Sequence, residues 1–252
     1  MTRTFRERMA SAASEKKSRI VLALDPPSDV VDPQDFAEKI IHSVQKHISA
    51  IKINFHLILP LSGSEIARIN QLAHSYGLQS IADVKLNDID NTNKVAVDNL
   101  AGKMGFDALI ANPFIGKAEL TSLVNKARRA DAGVIALVYM SHPGAKEGFG
   151  LDISRGRTKS KLYKIFLDRA SCAHADGVVI GATQLKVLKQ VAKENPEMPV
   201  YSPGVGAQRG EAKHAIRSGA SYLIIGRSIL QSSNPAEAAK AFQLAASVPV
   251  RD

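Results

Sequence analysis

The sequence predicts an α/β fold, a single (β/α)8 TIM barrel with an extra N-terminal helix, and three observations favour it. Eight short runs rich in Val, Ile and Leu alternate with longer segments of helical periodicity. The runs are almost uninterruptedly apolar, as in parallel strands buried on both faces. The chain has 252 residues, the length of many one-domain α/β barrels. A doubly wound open sheet is the rival architecture, but eight units without a break favour the barrel.

The candidate strands are 19–25, 50–55, 79–84, 107–111, 133–140, 177–182, 199–203 and 221–226. Helical segments between them include 33–48, 64–77, 161–175 and 234–247. Two of these segments follow an Asp-Pro or Asn-Pro pair, which indicates a capping residue with proline at the first helical position. We therefore expect one domain over 1–252, with 1–18 as a helical extension.

The connection at 141–160 is the longest in the predicted barrel. It is rich in glycine and charge, and a loop of this length in a compact domain is often a functional lid. The single cysteine, Cys172, excludes an internal disulfide and favours a reducing compartment. We expect its thiol to be buried in a helix. No apolar run approaches the ~20 residues of a membrane span, and the N-terminus lacks the apolar block of a secretory signal. These features predict a cytoplasmic protein that does not enter membranes.

The formal net charge of +9 is compatible with nucleic acid binding or with attraction of an anionic small molecule. The basic residues are scattered along the chain, and aromatic residues do not alternate with them as in a single-strand binder. This pattern favours solvated helix faces and a small anionic substrate over nucleic acid.

Polar residues stand at the ends of six predicted strands, where a barrel of this kind carries its chemistry. The first strand ends at Asp25, the second contains Lys52, and the third ends with Asp83 and Lys85. The fifth runs into Ser141. The seventh and eighth lead into SPGVGAQRG and IIGRS. A purely structural barrel has no need of this distribution.

Residues i and i+2 of a strand share a face, so Asp83 and Lys85 are predicted to point together into the barrel mouth, opposite Lys52. Buried charges are costly unless paired, and an alternating array of ammonium and carboxylate groups meets that need. Flanking carboxylates favour the charged form of Lys85, and a rigidly held ammonium is a general acid. A structural ion network that closes the barrel mouth is the alternative.

The loops after the seventh and eighth strands form the usual phosphate site of such barrels, and Arg227 could clamp an anion. Two tight turns with an exposed arginine are the alternative. Gly204, Gly206 and Gly210 do not match the dinucleotide fingerprint. The seven histidines form no close ligand pair, so no metal site is predicted. Ser141 lacks the His–Asp partners of a nucleophilic serine.

Taken together, the motifs resemble the orotidine 5′-phosphate decarboxylase family over residues 19 to about 245. The hallmark is DVKLNDIDNT at 83–92. It is accompanied in the family's order by LALD at 22–25, KIN at 52–54, MSHPGA at 140–145, SPGVGAQ at 202–208 and IIGRS at 224–228. The combination is far more specific than Asp-x-Lys-x-x-Asp alone.

The resemblance implies decarboxylation of orotidine 5′-monophosphate to uridine 5′-monophosphate, the last step of de novo pyrimidine nucleotide synthesis, without a cofactor. The implied catalytic residues are Lys85 as the proton donor to C6, Asp83 beside the substrate carboxylate, Lys52 in the charge array, and Asp88. The implied binding residues are Asp25, which with Lys52 binds the ribose hydroxyls and completes the array, Ser141 for the pyrimidine edge, and Pro203, Gln208, Gly226 and Arg227 at the phosphate. The resemblance further implies a homodimer in which Asp88 and Thr92 enter the neighbouring subunit's site.

Two alternatives remain at this stage. A magnesium-dependent 3-keto-L-gulonate-6-phosphate decarboxylase or hexulose-phosphate synthase shares Asp-x-Lys-x-x-Asp, but is expected to offer a carboxylate at the end of the second strand, where this chain has Lys52 and Asn54. A basic barrel that binds nucleic acid without catalysis would show affinity that falls steeply with salt.

Overall fold

The computed structural model describes residues 3–156, 158–206 and 209–247. Within them the strands are β1 (Ile20–Ala23), β2 (Ala50–Ile53), β3 (Gln79–Leu86), β4 (Ala108–Ala111), β5 (Gly133–Tyr139), β6 (Asp152–Arg155), β7 (Thr158–Lys161), β8 (Gly177–Ile180), β9 (Val200–Pro203) and β10 (Tyr222–Ile225). Eight of them form a closed barrel in the order β1-β10-β9-β8-β5-β4-β3-β2. Every barrel neighbour is parallel, so the predicted (β/α)8 fold is confirmed.

The helices are α1 (Phe5–Lys16), α2 (Pro33–Val44), α3 (Phe55–Ile58), α4 (Gly63–Ser75), α5 (Asp90–Leu100), α6 (Lys117–Arg129), α7 (Leu162–Cys172), α8 (Leu185–Glu194), α9 (Arg209–Arg217), α10 (Arg227–Leu230) and α11 (Pro235–Ala246). Asp32 and Asn234 cap α2 and α11, and each accepts a hydrogen bond from a backbone N–H of the first turn. No helix in the described ranges is both long and apolar enough to cross a membrane.

Strand periodicity divides the core into two layers. Ile51 and Ile53 of β2 belong to the layer between the barrel and its helices. Ala50 belongs to the barrel interior together with residues such as Ile81 and Leu137. Because side chains alternate along a strand, Lys52 continues the inward row that Ala50 begins. The same alternation brings the last inward residue of each strand to the barrel mouth.

The N-terminal helix α1 covers the amino-terminal end of the barrel interior. Phe5 and Met9, one turn apart, are 2% and 0% exposed and belong to the interior cluster. Phe5 lies directly over Gly133, where a Cβ would be only 2.6 Å from the Phe5 Cβ. Arg8 ties the helix to the barrel through ion pairs with Asp107 and Asp131. The extension therefore closes the end of the barrel opposite the mouth.

The connection after β5 contains a hairpin that the sequence interpretation treated as a loop. Strands β6 and β7 pair antiparallel, and Lys161 forms a 2.8 Å ion pair with Asp152 across them. Gly156 has a φ of 61°, which suits the tight turn between the two strands. Phe149, just before the hairpin, packs against the rings of Tyr139 and Phe166. This connection is therefore anchored to the barrel by aromatic contacts.

The prediction that Cys172 is buried is wrong, since its side chain is exposed. Helix α7 buries the face that carries Tyr163, Phe166 and Ala170. Cys172 comes two residues after Ala170, which turns it about 200° around the helix and onto the outer face.

Candidate active site

A cavity of about 850 Å³ opens at the carboxyl ends of the barrel strands. Eight of the residues singled out from the sequence line it, namely Asp25, Lys52, Asp83, Lys85, Ser141, Pro203, Gly226 and Arg227. Asp88 and Thr92 are not among its lining residues, and Gln208 lies outside the described residues. The strand ends that carry polar residues in the sequence therefore converge on one chamber.

Four charged side chains form a chain across the floor of this cavity. The Asp83 carboxylate bridges two ammonium groups, with Oδ2 2.8 Å from Lys52 Nζ and Oδ1 2.7 Å from Lys85 Nζ. On the other side, Lys52 Nζ lies 3.9 Å from Asp25 Oδ1. Lys52 and Asp83 are nearly fully buried, whereas 43% of the Lys85 side chain is exposed. The array thus fixes a lysine that is still accessible from the cavity.

The electrostatics of Asp83 result from two opposing effects. Burial acts to raise the pKa of this carboxyl group, but the charges and hydrogen bonds of Lys52 and Lys85 outweigh it, and the pKa lies below its ordinary value. Asp83 is therefore a carboxylate at neutral pH in spite of its surroundings. It provides the negative charge that holds the two ammonium groups in place.

The backbone at Lys85 departs from a regular strand. The pairing of β3 with β4 shifts register between Ala82 and Leu86, and Lys85 has a φ of 45°, in the left-handed region that a side chain disfavours. Regular alternation explains why Asp83 faces the cavity, but the approach of Lys85 to Asp83 also involves this irregular backbone. Left-handed residues other than glycine are uncommon and concentrate at functional sites.

Two glycines pack closely against Ser141. A Cβ on Gly181 would lie 2.5 Å from the Ser141 Cα, and one on Gly204 would lie 2.6 Å from the Ser141 Cβ. Gly204 also has a φ of 87°, which favours glycine. The Thr183 hydroxyl donates a 3.2 Å hydrogen bond to the Ser141 carbonyl. The position of the Ser141 hydroxyl at the cavity wall is therefore determined by the ends of β8 and β9.

The ends of β9 and β10 contribute the expected anion-binding groups to the cavity. Gly226 precedes the short helix α10 and packs closely on Ala23, since a Cβ there would lie 3.2 Å from the Ala23 Cβ. Arg227 and Ser228 begin α10 and line the cavity, as do Pro203 and the backbone up to Gly206. Backbone N–H groups and an arginine are suited to a phosphate.

Asp88 and Thr92 lie at the start of α5, and both are exposed. The Asp88 carboxylate accepts a 2.7 Å hydrogen bond from the Ile89 N–H. Within the described part of the chain, neither residue joins the charge array.

Several cavity residues escaped the sequence interpretation. Ile110, Leu137 and Val179 supply an apolar wall, and His142 and Gln231 line the rim. Ile110 and Val179 could have been found from strand parity, as the last inward positions of their strands. Leu137 could not, because β5 shifts register between Leu137 and Tyr139 and Tyr139 belongs to the outer layer. Gln231 could have been found from its place one helical turn after Arg227.

Comparisons with known proteins find relatives over most of this chain. Residues 18–242 match the model of the "Orotidine 5'-phosphate decarboxylase / HUMPS family". The orotidine 5′-phosphate decarboxylase of Pyrococcus abyssi is 36% identical over 222 residues, which cover 88% of this chain and 95% of that protein.

This chain belongs to the orotidine 5′-phosphate decarboxylase / HUMPS family.

Solved structures within the family have the same architecture. The crystal structure of orotidine 5′-phosphate decarboxylase from Pyrococcus horikoshii is 35% identical, with a TM-score of 0.75, and the match covers 91% of this chain and all of that chain. The enzyme from Methanocaldococcus jannaschii, solved as a complex with the inhibitor BMP, is 29% identical with the same TM-score of 0.75, over 90% of this chain and 97% of that chain. Both relatives are matched over nearly their full length.

Proposed function

We propose that this chain decarboxylates orotidine 5′-monophosphate to uridine 5′-monophosphate. The observation that carries the proposal is the Asp83–Lys85 ion pair of 2.7 Å, held in a four-charge array on the floor of the cavity. Family membership and the orotidine 5′-phosphate decarboxylase relatives support the same activity. An accessible ammonium beside a buried carboxylate suits a reaction in which negative charge develops at a carbon atom.

Substrate binding follows from the distribution of charge in the cavity. The phosphate binds at Gly226 and Arg227, with Pro203 beside them. The family resemblance assigns Gln208, which lies outside the described residues, to the phosphate as well. The ribose hydroxyls bind Asp25 and Lys52. Asp25 Oδ1 supports this assignment, because it is buried and has no hydrogen-bond partner within the described part of the chain. The pyrimidine edge meets the Ser141 hydroxyl across the cavity.

In the reaction, the bond between C6 and the carboxylate breaks and carbon dioxide leaves. The electron pair remains on C6, in the plane of the ring, and the Lys85 ammonium donates a proton to it. Asp83 keeps the ammonium in place before the reaction, so little reorganisation is needed as charge develops. Binding energy from the remote phosphate helps to hold the reacting carbon against Lys85.

We also propose that the active unit is a homodimer in which Asp88 and Thr92 enter the neighbouring site. Exposed apolar side chains follow three adjacent strands at the mouth end, with Phe55 and Leu59 after β2, Ile89 after β3 and Phe114 after β4. Between 51% and 75% of each of these residues is exposed. Asp88 lies beside Ile89 in this surface. Apolar surface of this kind is typical of protein–protein interfaces.

Specific residues argue against the two alternative functions. A magnesium-dependent relative is expected to present a carboxylate at the end of β2, where this chain has Lys52 and then Asn54. A nucleic acid binder has no need of a largely buried ion array at the mouth of a barrel. The array therefore favours the decarboxylase over both.

The test is an ultraviolet assay of orotidine 5′-monophosphate loss in EDTA-containing buffer. We expect turnover by the wild-type chain and a loss of at least about 10³-fold for Lys85→Ala, which is within the range of general acid catalysis. Lys39→Ala is the matched control, because Lys39 also pairs with an aspartate, Asp35, at 2.6 Å but on an exposed helix. Turnover that disappears with EDTA would indicate the magnesium-dependent reaction. Salt-sensitive nucleic acid binding without turnover would indicate the non-catalytic barrel.

A further inference from the structure

Asn93, in the first turns of α5, has an environment that packing alone does not explain. It is 2% exposed, and its Nδ2 donates a 2.6 Å hydrogen bond to the backbone carbonyl of Asp88. Its Oδ1 is buried without a hydrogen-bond partner in the described ranges. Burial of an unpaired amide oxygen is unfavourable, and an apolar side chain at this position would avoid that cost. The hydrogen bond to Asp88 is the one contact in these ranges that needs an amide at this position.

At the start of α5, this contact joins the helix to the residue before its N-cap. Ile89, the residue before the helix, provides no side-chain cap, and the Asp88 carboxylate is engaged with the Ile89 N–H. Asn93 lies on the buried face of the helix, and its side chain donates a hydrogen bond back to the Asp88 carbonyl. Ser122 of α6 holds the outer side through a 2.6 Å hydrogen bond to Asp90. The segment 88–92 is therefore held from both sides while its own side chains face outward.

The inward position of Asn93 also determines the rotation of the helix. Successive residues of a helix are turned by 100°, so a buried Asn93 directs the neighbouring Thr92 toward solvent. Asp88 and Thr92 are the two residues that the proposed function assigns to the neighbouring site.

We propose that Asn93 is a positioning residue that acts across the dimer interface: it holds Asp88 and Thr92 in the orientation in which they enter the active site of the neighbouring subunit. The inference rests on the shared sites of the proposed function. It predicts that a change at Asn93 lowers activity in the partner's site and not in the site of its own subunit.

The first experiment compares two buried asparagines in the homodimer. Asn93→Leu removes the donor and the unpaired oxygen, and we expect unchanged thermal stability with kcat/KM reduced roughly fivefold, the fold-change of one neutral hydrogen bond. Asn70→Leu is the matched control. Asn70 is also fully buried, donates to the Met104 carbonyl at 2.8 Å and has an unpaired Oδ1, but it lies on α4. Wild-type kcat/KM in Asn93→Leu overturns the proposal, as does an equal loss in both variants.

The second experiment assigns the effect to a subunit. Mixed dimers of a Lys85→Ala chain and an Asp88→Ala chain contain one complete site, which takes Lys85 from the second chain and Asp88 from the first. Asn93→Leu on the Lys85→Ala chain should lower the restored activity roughly fivefold. The same substitution on the Asp88→Ala chain should not, because that chain's segment serves only the site that already lacks Lys85.

The outcomes distinguish the proposed role of Asn93 from the proposed decarboxylase activity. An equal loss in both arrangements, or a loss only on the Asp88→Ala chain, shows that Asn93 acts within its own subunit and overturns the proposal. If mixed dimers form but no activity returns, the active sites are not shared and Asn93 does not have this role. Decarboxylation itself is tested separately, by the assay of the wild-type chain. Asn93→Ala replaces Asn93→Leu in the same pairings if leucine is not accommodated, since it removes the same donor without added volume.

Discussion

Asp83 is the residue on which the charge array depends, because its carboxylate contacts both lysines. Burial raises the pKa of this group, and the two lysines bring it below its ordinary value. A carboxyl group with a lowered folded-state pKa stabilises the fold above its unfolded pKa of about 3.9. That contribution is lost as the pH falls through the folded value. Wild-type stability should therefore retain the Asp83 contribution well into the acidic range.

Replacing Lys52 by an uncharged residue of similar length should reduce the stability that Asp83 contributes at neutral pH. In Lys52→Met one of the two lowering charges is gone, so burial has a greater influence and the pKa of Asp83 rises. The Asp83 contribution at neutral pH should therefore be smaller, and in urea titrations the unfolding free energy of the variant should fall by less than that of the wild type as the pH is lowered from 7 to 2. Lys39→Met is the control, because its partner Asp35 is exposed. A wild-type pH profile for Lys52→Met would remove Lys52 as a cause of the shift.

At the scale of elements, α1 shows how a segment outside the barrel repeat becomes part of its core. Phe5, Met9 and Ala12 form a stripe at helical spacing and are buried. The stripe covers the interior at the first residues of the strands, as the contact of Phe5 with Gly133 shows. The helix therefore contributes to stability at the end of the barrel that does not carry the chemistry.

Met9→Ala should destabilise the protein by about 2–5 kcal/mol, because Met9 is fully buried and its loss leaves a cavity. Leu244→Ala, which shortens a side chain that is 66% exposed, should change stability by no more than about 0.5 kcal/mol. Urea unfolding measures both. At 25 °C the folded Met9→Ala protein should retain wild-type KM, since the cavity lies at the opposite end. Equal stability of the two variants would contradict the assignment of α1 to the core.

At the scale of the whole molecule, one active site requires two chains in the proposed function. The subunit contains the Asp25–Lys52–Asp83–Lys85 array, whereas Asp88 and Thr92 face outward beside an apolar surface. Activity should consequently depend on the monomer–dimer equilibrium.

Leu59→Asp should raise the dimer dissociation constant at least about tenfold, since it introduces a charge into an interface that must exclude water. Leu59 is 75% exposed in the isolated subunit, so the monomer should fold normally. Specific activity should then fall on dilution in parallel with dimer content measured by sedimentation velocity. Leu244→Asp, an exposed leucine on α11 away from this surface, is the control. Activity independent of concentration in a monomeric Leu59→Asp would rule out shared sites.

The sequence by itself determined the type and order of the barrel elements. Runs such as the one around Ile51 and Ile53 must be buried on both faces, and that constraint can be read locally. The ends of these runs then identified the charged residues that line the cavity, including Asp25, Lys52 and Asp83, because parallel strands of a barrel bring their carboxyl ends together.

Only the tertiary structure decided how these residues meet. The left-handed backbone of Lys85 accompanies a register shift between β3 and β4, and register depends on how the barrel closes. The hairpin after β5, the docking of α1 on Gly133 and the hold of Asn93 on Asp88 all depend on partners that come close only in the folded chain. Local periodicity predicts which side of an element is buried. What that side touches, and at what distance, depends on the packing of the whole barrel.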